Sequence, residues 1–287
     1  MMKLTRRAFL RRSVIGVAAS VIVPTLMAAE AGGAPRKYRI SARHFGGDCA
    51  KAKLAGMDGV EIGVGGPADK LEIASPEVRK KYKDSAQTSG LAVSSLSMDL
   101  LNGNPLFSDP RAPAWAEQCI DAAKDLGAVA ILVPFFGKAD LLKNKEFKKA
   151  EVDALVAVLK DLGPKAKAAG VALGVEATLT ARQYLELLDR VGSDGVGAYY
   201  DIGNTTNAGL DVPADIKALK GRICCVHFKD GNTYLGEGKV KMQPVADALH
   251  AINYPGWIVL ETANPSKDAV ADCKRNGDYA RKLMNAA

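Results

Sequence analysis

The chain has 287 residues, enough for two average domains or for one αβ barrel, which commonly runs to about 250 residues. It is 48% hydrophobic, 25% charged and only 6% aromatic, a globular composition. After the N-terminus there is no uncharged apolar run of about 18 residues, which excludes a spanning helix in the mature protein. The formal charge of +7 is concentrated at the front of the chain.

Residues 1–31 read as a targeting segment. Thr5-Arg6-Arg7-Ala8-Phe9-Leu10 places a twin arginine before Phe-Leu, Arg11-Arg12 follows, and Val14 to Ala29 is moderately apolar and Ala-rich. Gly16 and Pro24 interrupt that stretch, so it suits a twin-arginine signal better than a membrane anchor. The small residues of Ala29-Glu30-Ala31 place cleavage near Ala31. The expected product is exported, to the periplasm or beyond, and its charge falls to about +3. No nucleic-acid footprint remains. The densest basic run, Lys143 to Lys149, reads as a solvated helix start.

A linker at residues 32–37 precedes one domain at 38–287, in which strand and helix patterns alternate. Tyr38–Ala42, Gly59–Val64, Leu91–Met98 and Val129–Phe135 read as strands. Helices are expected at Asp48–Gly56, at Ser75–Ser89 with Ser75 as N-cap and Gly90 beyond its end, and at Pro113–Leu126. A longer one spans Ala150–Ala169, where Gly163-Pro164 is expected to break or kink it. In the second half, strands at Val171–Glu176, Gly197–Asp201, Ile223–His227 and Trp257–Glu261 alternate with helices at Thr180–Val191, Pro213–Leu219, Gln243–Ile252 and Lys267–Met284. Eight strands alternating with eight helices, with no dinucleotide fingerprint after strand one, predict a single (β/α)8 TIM barrel preceded by an N-terminal signal segment. Gly63-Val-Gly-Gly-Pro-Ala68 follows strand two and reads as a loop at the barrel mouth.

The last four strands each end in an ionisable residue: Glu176, Asp201, His227 and Glu261. In a barrel the loops after the strands share one face, where active sites of this fold lie. Alternate residues along a strand share a side, so all four endpoints can face the barrel axis. Three carboxylates packed together repel, and a divalent metal resolves the repulsion. Three carboxylates with one imidazole favour Mn2+, Mg2+ or Co2+, with Zn2+ also compatible. Such an ion can polarise adjacent carbonyl and hydroxyl oxygens of a sugar, with glutamates on two strands moving a proton from and to the bound carbon.

Several short words carry a resemblance. Gly56-Met-Asp-Gly-Val-Glu61, Gly174-Val-Glu176, Tyr200-Asp-Ile-Gly-Asn204, Val226-His-Phe-Lys-Asp230, Leu235-Gly-Glu-Gly238 and Leu260-Glu261 make the chain from about Tyr38 onward similar to the xylose isomerase-like barrels. That superfamily's sugar phosphate isomerase/epimerase group includes ketose 3-epimerases, hydroxypyruvate isomerases and inosose dehydratases. The resemblance implies that Glu176, Asp201, His227 and Glu261 hold the metal, that Glu176 and Glu261 double as the acid/base pair, and that the reaction runs through a metal-stabilised enediolate. Where many ketose epimerases carry Asp-x-x-His, this chain has Asp201-Ile-Gly-Asn204; an amide can bond a hydroxyl but cannot carry the charge or proton of a histidine.

Substrate contacts are expected at His44 after strand one, Glu61 at the end of strand two, Asn204, Lys229 beside the ligand histidine, and Glu237 in the Gly-rich loop. His250 reads as a surface or packing residue, and Phe135, Phe136 and Trp257 as barrel packing. Cys49 and Cys273, on the first and last helices, are conceivable disulfide partners in an oxidising compartment. The expected activity is a divalent-metal-dependent sugar isomerase or epimerase. The alternatives are an exported lyase or hydrolase of an oxidised sugar or glycoside, and a non-catalytic sugar-binding barrel. The partner is a small sugar or sugar derivative, without nucleic acid and without a stable membrane span after processing; a homo-oligomer is compatible with the sequence.

Overall fold

Eight parallel strands close into a barrel in the computed structural model, which describes residues 38–285. The expected signal segment and linker lie outside the described residues. The strands, β1 (Arg39–Ala42), β2 (Gly59–Gly63), β3 (Ala92–Ser97), β4 (Ala130–Pro134), β5 (Ala172–Glu176), β6 (Val196–Asp201), β7 (Ile223–Phe228) and β8 (Trp257–Leu260), pair in chain order. The last closes on the first through Arg39–Trp257 to Ala42–Leu260. The outward side chains and the surrounding helices form one large apolar layer, and a small cluster of Ala130, Leu132, Tyr199, Cys225, Trp257 and Val259 fills the barrel itself.

The helices α1 (Cys49–Leu54), α2 (Pro76–Ser89), α3 (Ala112–Leu126), α4 (Lys149–Ala168) and α5 (Ala181–Val191) start and stop on local chemistry. Ser75 Oγ accepts the Val78 N–H at 3.4 Å, Pro76 takes the first helical position and Gly90 ends α2 in the left-handed conformation. Thr180 and Gln183 form a reciprocal capping box on α5. The expected break at Gly163-Pro164 does not occur, because α4 runs through Pro164 to Ala168. Gly163 instead serves packing: a Cβ there would stand 2.6 Å from Ser193 Oγ.

The basic run 143–149 also departs from expectation. Leu142–Lys143 pairs antiparallel with Glu146–Phe147 across a turn at Asn144 and Lys145, both with positive φ. A two-residue turn of this kind matches the strand twist, and the apolar Leu142 and Phe147 pack on the core, so the run is a hairpin and α4 starts only at Lys149. The remaining helices are α6 (Ile202–Asn207), α7 (Val212–Leu219), α8 (Met242–Ala251) and α9 (Ala269–Asn285). All five cysteines are free, Cys49 and Cys273 included. No helix among the described residues is long and apolar enough to cross a membrane.

Candidate functional site

Four donor atoms, one each from Glu176, Asp201, His227 and Glu261, lie within 4.8 Å of one another at the C-terminal mouth of the barrel. Glu176 and Asp201 are the last residues of β5 and β6, His227 lies one residue before the end of β7, and Glu261 follows β8. Two residues back from three of them stand Tyr199, Cys225 and Val259, all in the barrel interior. Behind the fourth stands Gly174, where a Cβ would meet Tyr199 Cβ at 2.8 Å. Strand alternation thus directs the four side chains inward, and Gly174 supplies the room for Tyr199.

His227 is completely buried and divides its two nitrogens. Nδ1 faces the cluster, 3.2 Å from Glu176 Oε1, 3.4 Å from Glu261 Oε2 and 3.9 Å from Asp201 Oδ2. Nε2 points the other way, 3.4 Å from Glu61 Oε1. Asp201 also divides its oxygens. Oδ1 accepts the Asn204 N–H at 2.7 Å and caps α6, whereas Oδ2 is buried without a hydrogen-bond partner. A carboxylate oxygen left this way is costly unless a cation completes it.

The titration behaviour follows from the same crowding. Burial, reinforced by the charge of Glu261, pushes the Glu176 carboxyl up. Burial and the charge of Glu176 push Asp201 up to about 7, with His227 and Lys229 opposing. Burial disfavours the imidazolium of His227, yet Glu61, Glu176 and Glu261 outweigh it and hold its pKa well above the ordinary range. Glu261 moves in the opposite direction from its fellow carboxylates: burial would raise it, but His227, Lys229 and Arg43 hold it well below the usual carboxylate range. The donor set, the orphaned Asp201 oxygen and the mutual repulsion all fit a hard divalent cation with the four residues as its ligands.

Above the cluster opens a cavity of about 490 Å3, within the range of small-molecule sites. Its wall includes Asn204 and Lys229, two of the expected substrate contacts. Lys229 Nζ donates to Glu261 Oε2 at 3.1 Å and lies 3.8 Å from Asp201 Oδ2. The other three expected contacts sit elsewhere. Glu61 is 1% exposed and lies beneath His227, because strand alternation turns it into the barrel between Val60 and Ile62, which face the outer apolar layer. His44 Nε2 and Thr262 Oγ1 share a hydrogen bond at 2.9 Å, and His44 does not line the cavity. Glu237 is half exposed and pairs with Arg275 on α9. The loop that carries it is wound around Asp230, whose carboxylate accepts the N–H groups of Gly236, Gly238 and Val240 at 2.9 to 3.0 Å. The Leu235-Gly-Glu-Gly238 word therefore describes a loop fold, in which Gly238 must lack a Cβ because one would fall 2.2 Å from Asp230 Oδ1.

Two groups that sequence reasoning passed over complete the site. Arg43 follows β1 and spends its whole guanidinium on neighbours: Nη1 on Glu61 Oε1 at 2.8 Å and Ser97 Oγ at 3.0 Å, Nη2 on both oxygens of Asp99 at 2.7 and 2.8 Å, and Nε toward Glu261 Oε1 at 3.4 Å. The same strand-end rule, applied to β1, points to Arg43. The second is α6, whose Gly, Asn and Thr content hides it from a propensity reading, though Asp201 is a recognisable N-cap. Phe136, expected in the packing, lines the cavity; Phe135 and Trp257 are buried, and His250 packs on Tyr38.

Comparison with known proteins agrees with this architecture. The chain is 27% identical over 213 residues to a 2-epi-5-epi-valiolone 7-phosphate 2-epimerase of Actinoplanes sp., covering 71% of this chain and 77% of that protein. It is 25% identical over 279 residues to an inosose dehydratase of Mesomycoplasma hyopneumoniae, with 80% and 86% covered. Among solved structures, an L-ribulose 3-epimerase superposes with a TM-score of 0.70 at 23% identity, over 87% of this chain and 95% of that one. A D-allulose 3-epimerase from Methylomonas sp. gives 0.70 at 19% identity, over 87% and 99%. At these identities the structural likeness speaks for the fold. The model of the xylose isomerase-like TIM barrel matches residues 49–284, nearly the whole described barrel, and the chain belongs to that family.

Proposed function

We propose that the protein is a divalent-cation-dependent epimerase or isomerase of a sugar or sugar derivative, exported by the twin-arginine route. The observation that carries this reading is the convergence of Glu176, Asp201, His227 and Glu261, with their donor atoms within 4.8 Å, at the floor of the cavity. The epimerase names of several relatives support the reaction class. A bound Mn2+, Mg2+ or Co2+, with Zn2+ also acceptable to this donor set, supplies Lewis acidity to a neighbouring carbonyl or hydroxyl oxygen.

The chain's own residues supply the proton transfers. Glu261, with Lys229 Nζ at 3.1 Å and Arg43 Nε at 3.4 Å beside its carboxylate, is the base. It takes the proton from a carbon next to the carbonyl, and the C–H electron pair moves toward the carbonyl oxygen. Glu176, across the cluster from Glu261, returns a proton to the other face. β6 and β7 separate the strands that carry the two glutamates, so both can flank one carbon. The product differs from the substrate in configuration or carbonyl position, and no redox partner is needed.

The relation to inosose dehydratases favours a second reading, in which proton removal is followed by loss of water next to the carbonyl. Metal analysis of the purified protein, followed by a screen of ketoses, inososes and 3-keto sugars in deuterated water, tests both. The first reading expects cation-dependent uptake of one deuteron with no mass lost as water. A dehydrated product favours the second, and ligand binding without exchange or product would leave a sugar-binding barrel.

A further inference from the structure

The charges and hydrogen-bonding groups of the cavity constrain what it can hold. Arg43 has five N–H donors, and Glu61, Ser97, both oxygens of Asp99, and Glu261 face them. Lys229, the other cation of the wall, lies against Glu261 and Asp201. In the cavity wall three carboxylates, Asp99, Glu176 and Glu261, stand against these two cations, with Asp201 and Glu61 lying deeper against the same pair. A divalent cation on the four donors offsets most of that excess, but neither side-chain cation is left without a carboxylate partner.

The rest of the wall is neutral and capable of hydrogen bonding. Among the described residues, the side-chain amides of Asn204 and Asn207 and the Thr178 hydroxyl make no protein hydrogen bond, and Asn102 uses only its Oδ1, on the Phe136 N–H at 3.1 Å. These groups come from three different places: the turn after β3, the loop after β5, and α6. Asp99 adds a half-exposed carboxylate that accepts hydroxyl protons but repels an anion. Phosphate recognition normally uses an uncommitted Arg or Lys, or a helix N-terminus of backbone N–H groups. Here both cations of the wall are committed to carboxylates, and the first turn of α6 is capped by Asp201 itself.

Resting on the sugar epimerase or isomerase reading above, we propose that the cavity selects a neutral, polyhydroxylated carbonyl compound and discriminates against its phosphorylated or carboxylated counterparts. Hydroxyl groups match the amides of Asn102, Asn204 and Asn207, the Thr178 hydroxyl and the Asp99 carboxylate. An added anionic group meets the Asp99 carboxylate and finds no uncommitted side-chain cation in the wall to receive it.

The test uses matched pairs: pentuloses, hexuloses and inososes, each with its monophosphate, against the metal-loaded protein. Calorimetric binding and solvent deuterium uptake are both recorded. At least one neutral member is expected to bind at least about tenfold more tightly than its phosphate. The variant Asp99→Asn, which removes a wall charge and releases part of the Arg43 fork, is expected to narrow that ratio by about tenfold. A phosphorylated compound that binds or exchanges as well as its neutral partner overturns the proposal and leaves the epimerase reading standing. Preferential binding of neutral compounds without deuterium uptake supports the selectivity and counts against the epimerase reading. A panel in which no neutral member binds overturns the proposal.

Discussion

The Glu61 carboxylate lies 3.4 Å from Nε2 of His227, and neither side chain is exposed. Glu61 is itself held on three sides. Oε1 accepts from Arg43 at 2.8 Å, and Oε2 accepts from Ser95 Oγ at 2.8 Å and from the Tyr199 hydroxyl at 2.5 Å. Burial would raise its pKa, but His227 and Arg43 hold it down to about 2, so it is an anion. Nε2 has no hydrogen-bond partner of its own, so the Glu61 anion acts on it through charge, favouring the N–H on that side and the Nδ1 lone pair toward the cluster. Strand alternation turns both partners into the barrel, Glu61 from β2 and His227 from β7.

Replacing Glu61 by Gln keeps the shape but removes the charge that orients His227. Metal affinity is expected to fall by about 10- to 100-fold while the barrel remains folded. Competition titration with a chelating dye, with circular dichroism as the control for folding, measures this. An unchanged dissociation constant would show that Glu61 only fills space.

For the acid/base pair, Glu176→Gln and Glu261→Gln are each expected to lower turnover by about 10^2- to 10^4-fold at saturating metal, with sugar binding retained. Solvent deuterium uptake at the substrate carbon is the readout. If both variants still exchange at the parental rate, proton transfer belongs to other groups.

Lys229 lies 3.1 Å from Glu261 and helps to hold its pKa down. In Lys229→Met that pKa rises, so the ionised base disappears at a higher pH. The acid limb of kcat/KM against pH is expected to move upward, and a limb that stays in place counts against Glu261 as the base.

The cluster also ties stability to pH. Asp201, raised to about 7, contributes stability that is full below its unfolded value and is lost as the pH rises toward 7; the raised Glu176 and His227 act in the same sense. The depressed Glu61 and Glu261 have delivered their contribution by about pH 4.5 and stay level above it. The Tm of chelator-treated protein should therefore fall between about pH 5 and pH 8, and a divalent cation should flatten the fall. A flat or rising Tm for the stripped protein would contradict the repulsion that calls for a cation.

Gly174 gives the interior its tolerance limit. A Cβ there would sit 2.8 Å from Tyr199 Cβ and 2.9 Å from Cys224 Sγ, so Gly174→Ala must displace Tyr199, a donor to Glu61. The expected cost is about 1–3 kcal/mol, each kcal/mol lowering Tm by about 2–4 °C. Metal affinity should fall with it. Thermal melts and the dye titration together distinguish this from simple loosening, which would spare the metal site.

Barrel topology and the four convergent strand ends were legible in the sequence, because strand alternation and barrel closure depend on local periodicity: Gly174, Tyr199, Cys225 and Val259 mark the inward side two residues before each endpoint. Helix limits such as Ser75 and Gly90 were legible for the same reason. Periodicity does not reveal which of two nearby polar groups reaches a neighbour from another strand. His44 turns to Thr262, Glu237 to Arg275 and Glu61 beneath His227, while Arg43 spans β2, β3 and β8 contacts that lie up to 218 residues away in the chain. The directions of those side chains are set by the charges and hydrogen-bond partners they meet across the barrel, and only the closed tertiary structure brings those groups within a few ångströms.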